Sequence, residues 1–376
     1  MRSTSAGNRE QGTVGPLRVL IAGGGTGGHV IPALAIGREL RDRHGAEVRF
    51  VGTARGLETK LVPEAGFRLE LVRSGQLKNV SLMTRSRTLL DLPFGVTQCL
   101  RLLREFRPQG VVGVGGYASG PAMMAALMLR VPTLAYEPNA VPGLANRLVG
   151  KRVSAAAVNF AQTTRYFHNA IVTGVPVRPE IFEVPVRAVG ALPRLLVTAG
   201  SQGARVFNET MPLIAARLLD AMPGLSIMHQ AGARHQETTL AAYAASGADP
   251  RRWVVLPFLE DMPAQYAACD LVLARAGSTV AELAAAGKPS LLVPFPQAAD
   301  DHQRKNAECF AESGATVLMH QADLNADRLL AELTRLLENR GLLERMGANA
   351  KSLAHPGALQ RIAGMVMELA EGRYDV

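Results

Sequence analysis

A dense run of glycines directly behind a short apolar segment is the strongest chemical signal in this chain. Residues 17–22 read Leu-Arg-Val-Leu-Ile-Ala, and residues 23–28 read Gly-Gly-Gly-Thr-Gly-Gly, followed by His29 and a helix-forming stretch. A strand, a glycine loop and a helix in this order bring free backbone N–H groups and a helix N-terminus against an anion. Because a helix N-terminus disfavours imidazolium, we expect His29 to be neutral and able to act as a base or a donor. The pattern predicts a phosphate-binding loop with a base at its end.

Two familiar nucleotide-binding motifs fit this loop less well. Gly23, Gly25 and Gly28 match the dinucleotide fingerprint, but that motif needs a carboxylate at the end of the second strand, where this chain has Arg55. A Walker loop needs Lys-Ser or Lys-Thr behind the glycines, and neither follows them here. A nucleotide-binding module that places Arg55 on the 2′-phosphate of NADP is kept as an alternative.

The same arrangement recurs along the chain. A second glycine cluster at 113–121 follows an apolar segment at 110–112, and a third at 199–204 follows an apolar segment at 194–198. Each half of the chain therefore opens with an apolar strand and a glycine turn. This repetition predicts two similar α/β units.

A further helix start in the second half could bind an anion or a sugar. The apolar strand 271–274 runs into small residues, where Ser278 or Thr279 is suited to cap a helix and the first N–H groups are free. Glu282 lies one turn inside, where it either closes a capping box or accepts hydrogen bonds from ligand hydroxyls. Downstream lies a cluster of amides and acids suited to sugar hydroxyls and without metal-ligand spacing, namely Gln297, Asp300, Asp301, His302, Gln303 and Asn306.

The elements that must position these residues alternate between strand and helix. In the first half we predict strands near 17–22, 47–51, 68–72, 110–114, 131–135 and 154–158, and a proline-containing link at 171–179. In the second half we predict strands near 194–198, 225–230, 252–256, 271–274, 290–293 and 315–319. Such alternation predicts parallel sheets covered by helices on both faces, with ligands at the carboxyl ends of the strands and in a cleft between the domains.

Composition limits the classes of protein. A length of 376 residues with 48% hydrophobic residues suits two domains, and 5% aromatic residues argue against a stacking RNA-binding sheet or a carbohydrate-stacking lectin. The three cysteines show no Cys-x-x-Cys spacing, which predicts reduced thiols. The N-terminal residues contain no apolar signal segment, and the longest apolar run, 121–129, is too short to cross a bilayer. We therefore expect a soluble, cytoplasmic protein.

The positive charge predicts an acidic partner. The net charge is +9, and the basic residues are scattered without interleaved aromatics, which disfavours nucleic acid. One local concentration brackets an apolar segment and suits either an anionic membrane surface or an ordinary amphipathic helix docked on the sheet. Its basic members are Lys78, Arg85, Arg87, Arg101, Arg104 and Arg107, and its apolar members are Leu77, Val80, Leu82, Met83, Leu89, Leu90, Leu92, Phe94, Val96, Leu100, Leu102 and Leu103.

Several motifs, taken in chain order, carry a family resemblance. They are Gly-Gly-Thr-Gly-Gly-His at 24–29, Gly-Gly-Tyr at 115–117 with Ser-Gly-Pro at 119–121, Glu-Pro-Asn at 137–139, Thr-Gly-Val-Pro-Val-Arg at 173–178, Gly-Ser-Gln-Gly-Ala at 200–204, and Arg-Ala-Gly from 275 onward. As an ordered set over nearly the whole chain they closely resemble the MurG family, within glycosyltransferase family 28. The chain departs from the family pattern at Tyr136 and Pro138, where the family commonly has His and Gln.

The resemblance implies a GT-B fold, in which two doubly wound Rossmann-like α/β domains face a deep cleft with their parallel sheets. It implies inverting transfer of N-acetylglucosamine from UDP-GlcNAc to O4 of the MurNAc-pentapeptide on undecaprenyl diphosphate, from lipid I to lipid II. This reaction belongs to peptidoglycan synthesis, and so to cell-wall biogenesis, cell shape and division. An enzyme of this family is a metal-independent hexosyltransferase without a cofactor. Another GT-B enzyme acting on UDP-sugars, such as a UDP-GlcNAc 2-epimerase or a glycolipid transferase, is kept as an alternative.

The resemblance also implies a location, partners and a domain division. The location is the cytoplasmic face of the inner membrane, as a peripheral protein. The partners are UDP-GlcNAc, the lipid-linked acceptor and an anionic membrane surface, and no nucleic acid. We expect a flexible extension at 1–16, an acceptor and membrane-facing domain at 17–176, a donor domain at 177–352, and a C-terminal helix at 353–376 that packs back on the first domain.

Roles follow residue by residue from the resemblance. His29 is the expected base for the acceptor hydroxyl, with Glu137 as its rival or electrostatic partner. Glu282 is expected to hold the ribose hydroxyls, Gln303 to recognise the sugar, and Arg178 to face the UDP diphosphate. The whole donor set is Thr26, Gly27, Gly28, Asn139, Arg178, Ser201, Gln202, Leu259, Ser278, Thr279, Glu282 and Gln303. The acceptor diphosphate is expected at Gly24, Gly25, Gly115, Gly116 and Tyr117, and no metal ligand is expected.

Overall fold

Two parallel sheets form the framework of the protein. The computed structural model describes residues 15–75, 82–188 and 190–373. All recorded strand pairings are parallel. The first sheet has the order β3-β2-β1-β4-β5-β6-β7 and contains β1 (Arg18–Ala22), β2 (Glu47–Gly52), β3 (Arg68–Leu71), β4 (Gly110–Gly113), β5 (Thr133–Glu137), β6 (Ala155–Val158) and β7 (Ala170–Val172). The second has the order β10-β9-β8-β11-β12-β13 and contains β8 (Arg194–Thr198), β9 (Ser226–Gln230), β10 (Trp253–Leu256), β11 (Leu271–Ala274), β12 (Ser290–Leu292) and β13 (Thr316–Leu318).

Helices connect the strands and cover the sheets. In the first half they are α1 (Gly27–His44), α2 (Glu58–Glu64), α3 (Leu82–Phe106), α4 (Ser119–Met128), α5 (Leu144–Val149) and α6 (Pro179–Phe182). In the second half they are α7 (Arg205–Ala221), α8 (Gln236–Ala245), α9 (Met262–Ala268), α10 (Thr279–Ala286), α11 (His302–Glu312), α12 (Ala326–Leu337), α13 (Arg340–Ser352) and α14 (Ala358–Ala370). Short 3₁₀ turns occupy Ala161–Tyr166, Pro250–Arg252, Ala299–Asp301 and Gln321–Asp323.

The predicted strands are present, with one addition. Each strand expected from the sequence lies within a few residues of its predicted position. The addition is β7, which occupies the start of the segment predicted as a link at 171–179. This strand has only three residues and pairs only with β6, at the edge of the sheet. Ile171 is 44% exposed, so β7 has only a short and partly exposed apolar pattern.

The strand order explains where ligand-binding loops must lie. The order reverses between β1 and β4 in the first sheet and between β8 and β11 in the second. Crevices at such switch points open at the carboxyl ends of the strands. The glycine loops that follow β1, β4 and β8, and the small-residue turn that follows β11, start at these four strand ends.

Helix α14 returns to the first domain although it comes last in the described chain. Its apolar face, including Ile362, Val366 and Leu369, is buried in one cluster with Val19 and Ile21 of β1. The two stretches of chain that join the domains touch each other, because Arg361 Nη2 donates to the Thr173 carbonyl at 3.0 Å. The first domain is therefore completed by residues that follow the second domain.

The predicted membrane-facing segment is described in part. Lys78, Val80 and Leu77 lie outside the described residues, and so do the side chains at 82–90. Further along α3, Cys99, Leu103 and Phe106 are buried against the sheet, whereas Arg101 and Arg104 are exposed. This part is an ordinary amphipathic helix, apart from Phe94, which is 60% exposed. No helix among the described residues is both long and apolar enough to span a membrane.

Candidate active site

A cleft of about 610 Å³ lies between the two domains. Its wall combines the loops after β1, β4 and β5 of the first sheet with the turn after β11 and the start of α11 in the second domain. Twelve of the residues predicted for the site line it, namely Gly24, Gly25, Thr26, Gly28, His29, Gly115, Gly116, Tyr117, Glu137, Asn139, Ser278 and Gln303. Residues from distant parts of the sequence therefore meet in one cavity.

Seven other predicted residues lie outside this lining. Gly27 is the first residue of α1, and Thr279 is the first residue of α10. Ser201 and Gln202 are exposed on the loop after β8. Leu259 is buried in the core of the second domain. The remaining two are Arg178 and Glu282, which lie close enough for their charges to interact.

The start of α1 offers free donors, as expected for an anion site. Thr26 is the N-cap residue, and its carbonyl accepts from the N–H groups of His29 and Val30, both at 3.1 Å. Within the described residues, the N–H groups of Gly27 and Gly28 donate to no acceptor. These two groups, with the positive end of an 18-residue helix behind them, favour a negatively charged ligand.

The loops after β1 and β4 pack so closely against each other that side chains would not fit at several glycine positions. Gly116 has φ +79°, and a Cβ there would lie 2.2 Å from the carbonyl oxygen of Gly24. Gly115 has φ +89°, and a Cβ there would lie 3.0 Å from the ring of His29. The two loops therefore stack against each other and against the imidazole, and a side chain at either position would separate them.

His29 has the properties of a base at neutral pH. Burial lowers the pKa of His29, because it penalises the imidazolium, and the charge of His302 on the opposite side of the cleft lowers it further. Its Nδ1 is buried and has no hydrogen-bond partner among the described residues. A hydrogen bond to the Gly24 backbone raises the pKa of His29 against these two effects. Because the pKa stays below its usual value, the imidazole is neutral near pH 7, and it lines the cleft.

Glu137 is engaged by the protein on both carboxylate oxygens. Oε1 accepts from the backbone N–H and the side-chain amide of Asn139, both at 3.1 Å, and Oε2 accepts from the Gly143 N–H at 3.1 Å and from Asn146 Nδ2 at 3.0 Å. Burial raises the pKa of Glu137, and these four hydrogen bonds oppose the rise. The carboxylate thus fixes the loop 138–143, which carries Asn139 into the cleft.

Asn306 connects the two domains, a role that the sequence did not indicate. Its Nδ2 donates to the side-chain oxygen of Asn139 and to the Ala276 carbonyl, both at 3.1 Å, and its Oδ1 accepts from the Ala140 N–H at 2.9 Å. The residue is 1% exposed. We expected Asn306 among side chains for sugar hydroxyls, but its polar atoms are occupied by protein. In the sequence, only its place three residues after Gln303, one helical turn away, connected Asn306 with the site.

Three residues of the predicted donor set, Ser278, Thr279 and Gln303, lie at or beside the start of α10. Ser278 is the N-cap residue without a side-chain cap, and among the described residues the backbone N–H groups of Ser278 and Thr279 donate to no acceptor. Gln303 is fixed by its oxygen, which accepts from the Phe295 N–H at 3.0 Å. Its amide nitrogen lies 3.8 Å from the Cβ position of Gly277. The turn after β11 thus brings two free N–H groups and one amide to the same edge of the cleft.

Glu282 does not close a capping box. It is the fourth residue of α10, whereas the capping-box acid is the third. Instead, Oε2 accepts a hydrogen bond of 2.9 Å from the hydroxyl of the buried Tyr266. Burial raises the pKa of Glu282, while the Tyr266 bond and the charge of Arg178 oppose the rise. Among the described residues, its other oxygen, Oε1, accepts no hydrogen bond.

The fold and the site define a class of protein. Two doubly wound domains that face each other across a cleft, with helix N-termini for phosphate on both walls, are the arrangement of a GT-B sugar-nucleotide transferase. Residues 19–158 match the glycosyltransferase family 28 N-terminal domain, and residues 194–362 match the glycosyltransferase family 28 C-terminal domain. The chain belongs to glycosyltransferase family 28, together with the UDP-N-acetylglucosamine--N-acetylmuramyl-(pentapeptide) pyrophosphoryl-undecaprenol N-acetylglucosamine transferases.

Curated relatives with that name match nearly the whole chain. One from Solibacter usitatus is 44% identical over 93% of this chain and 96% of its own length. One from Anaeromyxobacter dehalogenans is 44% identical over 95% of this chain and 94% of its own length. The crystal structure of Acinetobacter baumannii MurG has a TM-score of 0.79 at 31% identity and covers 94% of this chain and all of its own.

A more distant structure shares only the fold. The UDP-GlcNAc 2-epimerase from Neisseria meningitidis, solved with UDP-GlcNAc, covers 94% of this chain and all of its own, with a TM-score of 0.63 and 14% identity. At this identity the likeness extends to the two-domain architecture and no further. The predicted GT-B fold is therefore confirmed.

Proposed function

We propose that this chain transfers N-acetylglucosamine from UDP-N-acetylglucosamine to O4 of the MurNAc-pentapeptide on undecaprenyl diphosphate, with inversion at C1. The product is lipid II, the disaccharide-linked precursor of peptidoglycan. The observation that carries this proposal is the 44% identity, over almost the full length of both chains, with relatives of that printed activity. The geometry of the cleft supports it, because loops of both domains line one cavity.

The chemical step is a single displacement. The acceptor O4 attacks C1 of the donor sugar, the bond between C1 and the β-phosphate oxygen breaks, and UDP leaves. His29, which is neutral and lines the cleft, takes the proton from O4. A positioned base of this kind contributes about 100- to 10,000-fold in rate. Closure of the cleft excludes water, which would otherwise hydrolyse the donor.

Negative charge develops on the leaving diphosphate and needs preorganised donors. The N–H groups of Ser278 and Thr279 at the start of α10 and the guanidinium of Arg178 meet this charge. We assign Ser201, exposed on the loop after β8, to the same diphosphate. Glu282 accepts from the ribose hydroxyls through its unused oxygen, and Gln303 contacts the sugar. The acceptor diphosphate lies against the stacked loops of Gly24, Gly25, Gly115, Gly116 and Tyr117.

We further propose that the first domain rests on the cytoplasmic surface of the inner membrane. The net charge of +9 suits anionic lipid head groups. Phe94 on α3 exposes 60% of its surface, and Arg101 and Arg104 on the same helix are exposed. Apolar side chains rimmed by cations bind at a lipid interface without crossing it.

The deciding experiment is turnover of UDP-GlcNAc with a short-chain lipid I analogue. We expect free UDP to appear only when the acceptor is present, in equal amount with the disaccharide product. Conversion of UDP-GlcNAc in the absence of acceptor would support an epimerase instead. Protection against thermal unfolding by NADP, without protection by UDP, would contradict any UDP-sugar enzyme.

A further inference from the structure

The glycine loop after β1 rests on a buried carboxylate that the transfer reaction does not use. Glu58, the first residue of α2, is 1% exposed. Its Oε2 accepts from the Gly25 N–H at 2.8 Å, and its Oε1 accepts from the backbone N–H and the hydroxyl of Thr53, both at 2.9 Å. No Lys or Arg forms an ion pair with it in the described part of the chain. Hydrogen bonds to the loops alone hold this charge.

Three positions next to this carboxylate have space only for glycine. A Cβ at Gly24 would lie 2.2 Å from Glu58 Oε1, one at Gly52 would lie 2.5 Å from its Cγ, and one at Gly56 would lie 1.9 Å from its Oε2. None of these three positions has a left-handed backbone, so space and not conformation requires the glycine. Gly24 also lines the cleft, so the same glycine faces the carboxylate with its Cβ direction and the cleft with its backbone.

The peptide groups of Gly25 are held from the same side. The Gly25 N–H donates to Glu58, and the Gly25 carbonyl accepts from the Leu57 N–H at 3.2 Å. On the opposite side of the loop, Gly116 packs against the carbonyl of Gly24. The loop is therefore clamped between the start of α2 and the loop after β4, immediately before Thr26 caps the helix that carries His29.

We propose that Glu58 is the positioning residue of the acceptor-side loop: by binding the Gly25 N–H, it holds the Gly27 and Gly28 N–H groups and His29 in their working orientation. The inference rests on the proposed transfer reaction and deepens it. Glu58 touches neither substrate, so its effect passes through the loop. The same carboxylate also acts on the base electrostatically, because its negative charge raises the pKa of His29 against the lowering effects of burial and of His302.

Glu58→Gln tests the proposal because glutamine offers one acceptor oxygen where the site needs two. If the glutamine oxygen keeps the bonds to Thr53, the glutamine NH₂ group faces the Gly25 N–H. Two donors then face each other without an acceptor, and the glycine loop after β1 must move. We expect kcat for transfer to fall about 10- to 100-fold, as when a buried donor loses its acceptor. UDP affinity should change less than about twofold, because the contacts proposed above for the UDP diphosphate and ribose come from Ser278, Thr279, Arg178 and Glu282 and not from this loop. The acid limb of the kcat/KM profile should move to lower pH, because the charge that raises the pKa of His29 is gone.

Two control variants separate positioning from stability. Asp270→Asn alters a partly buried, ion-paired carboxylate in the second domain, which accepts from the Arg194 N–H and pairs with Arg187, both at 2.8 Å. We expect it to lower Tm and leave kcat and the pH profile unchanged. Thr53→Val removes one donor to Glu58 and leaves the Gly25 bond, so it should lower Tm with kcat within about twofold of wild type.

Each outcome decides the proposal. A Glu58→Gln variant that matches Asp270→Asn in Tm and keeps wild-type kcat and pH profile would show a purely structural role. Equal losses of kcat in Thr53→Val and Glu58→Gln would also contradict the proposal, since the Gly25 bond would then not matter. If Glu58→Gln does not fold, Glu58→Asp keeps the charge but cannot reach both partners, and the same loss of kcat is expected. Absence of transfer by the wild type would refute the proposed function and is distinguishable from all of these.

Discussion

The two candidates for the base differ in how far the protein already uses their polar atoms. The Glu137 oxygens accept four hydrogen bonds that shape the loop after β5. The Nδ1 of His29 has no partner among the described residues, and burial keeps the ring neutral. A general base must take up and release a proton without breaking the hydrogen bonds that hold the loops around it. This comparison favours His29 and gives Glu137 the task of positioning Asn139.

Substitution of the base should affect chemistry more than binding. We expect His29→Ala to lower kcat about 100-fold or more while UDP affinity stays nearly intact. In the wild type, kcat/KM should fall as the pH drops below the lowered pKa of His29, because the protonated ring cannot accept from O4. His44→Ala, at the exposed end of the same helix, serves as a control with unchanged kcat. Near wild-type kcat in His29→Ala, with a large loss in Glu137→Gln, would reverse the assignment.

The ribose role of Glu282 requires a substitution that keeps Tyr266 satisfied. Glu282→Ala would leave a buried hydroxyl without an acceptor and lower stability for a trivial reason. Glu282→Gln keeps one oxygen for Tyr266, so we expect Tm to change little and UDP-GlcNAc affinity to fall about 10- to 150-fold.

Tyr266→Phe is the matched control for Glu282→Gln, since it removes the internal bond that Glu282→Gln keeps and leaves the carboxylate in place. Calorimetric titration of each variant with UDP-GlcNAc and with its 2′,3′-dideoxyribose analogue measures the difference. The analogue should bind wild type and Glu282→Gln almost equally weakly. Unchanged UDP-GlcNAc affinity in Glu282→Gln would overturn the ribose assignment.

At the scale of elements, α11 joins the walls of the cleft. Asn306 on this helix binds the loop after β5 in one domain and the turn after β11 in the other, and Gln303 lies one turn earlier on the same helix. Each of these loops carries a residue proposed to contact the donor. We infer that the Asn306 bonds keep the two loops at a fixed spacing when the cleft is closed.

Double-mutant kinetics can test this connection. We expect Asn306→Ala to lower kcat/KM for UDP-GlcNAc about 5- to 100-fold, the range for a buried polar group that loses its partner. Combined with Asn139→Ala, the loss should be clearly smaller than the sum, because the two side chains share a bond. Asn325→Ala, which removes the cap of α12, should cost stability and combine additively. Additive losses for Asn306 and Asn139 would refute the connection.

The sequence predicted the elements better than the contacts between them. Buried strands such as 194–198 are continuous apolar runs bounded by glycine, so their positions could be predicted from local pattern. The edge strand β7 was not predicted, because its apolar pattern is short and half exposed. Glu58 and Asn306 escaped for a different reason: their partners lie in other segments, so their roles appear only when the chain is folded. The local sequence therefore indicates where strands and helices lie, but not which side chains of distant segments contact each other.

At the scale of the whole molecule, the cleft gathers positive potential from parts of both domains. The N-termini of α1 and α10 each carry about half a unit of positive charge, and Arg178 adds a full one. These fixed groups can stabilise the leaving diphosphate. We therefore expect steady-state turnover of UDP-GlcNAc and a lipid I analogue to be the same in excess EDTA as in buffer with added Mg²⁺. Loss of turnover in EDTA, restored by Mg²⁺ or Mn²⁺, would show that this electrostatic account is wrong.

The return of α14 to the first sheet sets an order of events during synthesis on the ribosome. Ile362, Val366 and Leu369 share a core with Val19 and Ile21, so the part of the first sheet that α14 covers stays uncovered while the second domain is being made. At about 5–20 residues per second, this interval is on the order of ten to forty seconds. Domains usually fold in the order in which they emerge. We infer that in this chain the first domain completes its core only after the second has been synthesised, and that until then the apolar surface later covered by α14 is open to water.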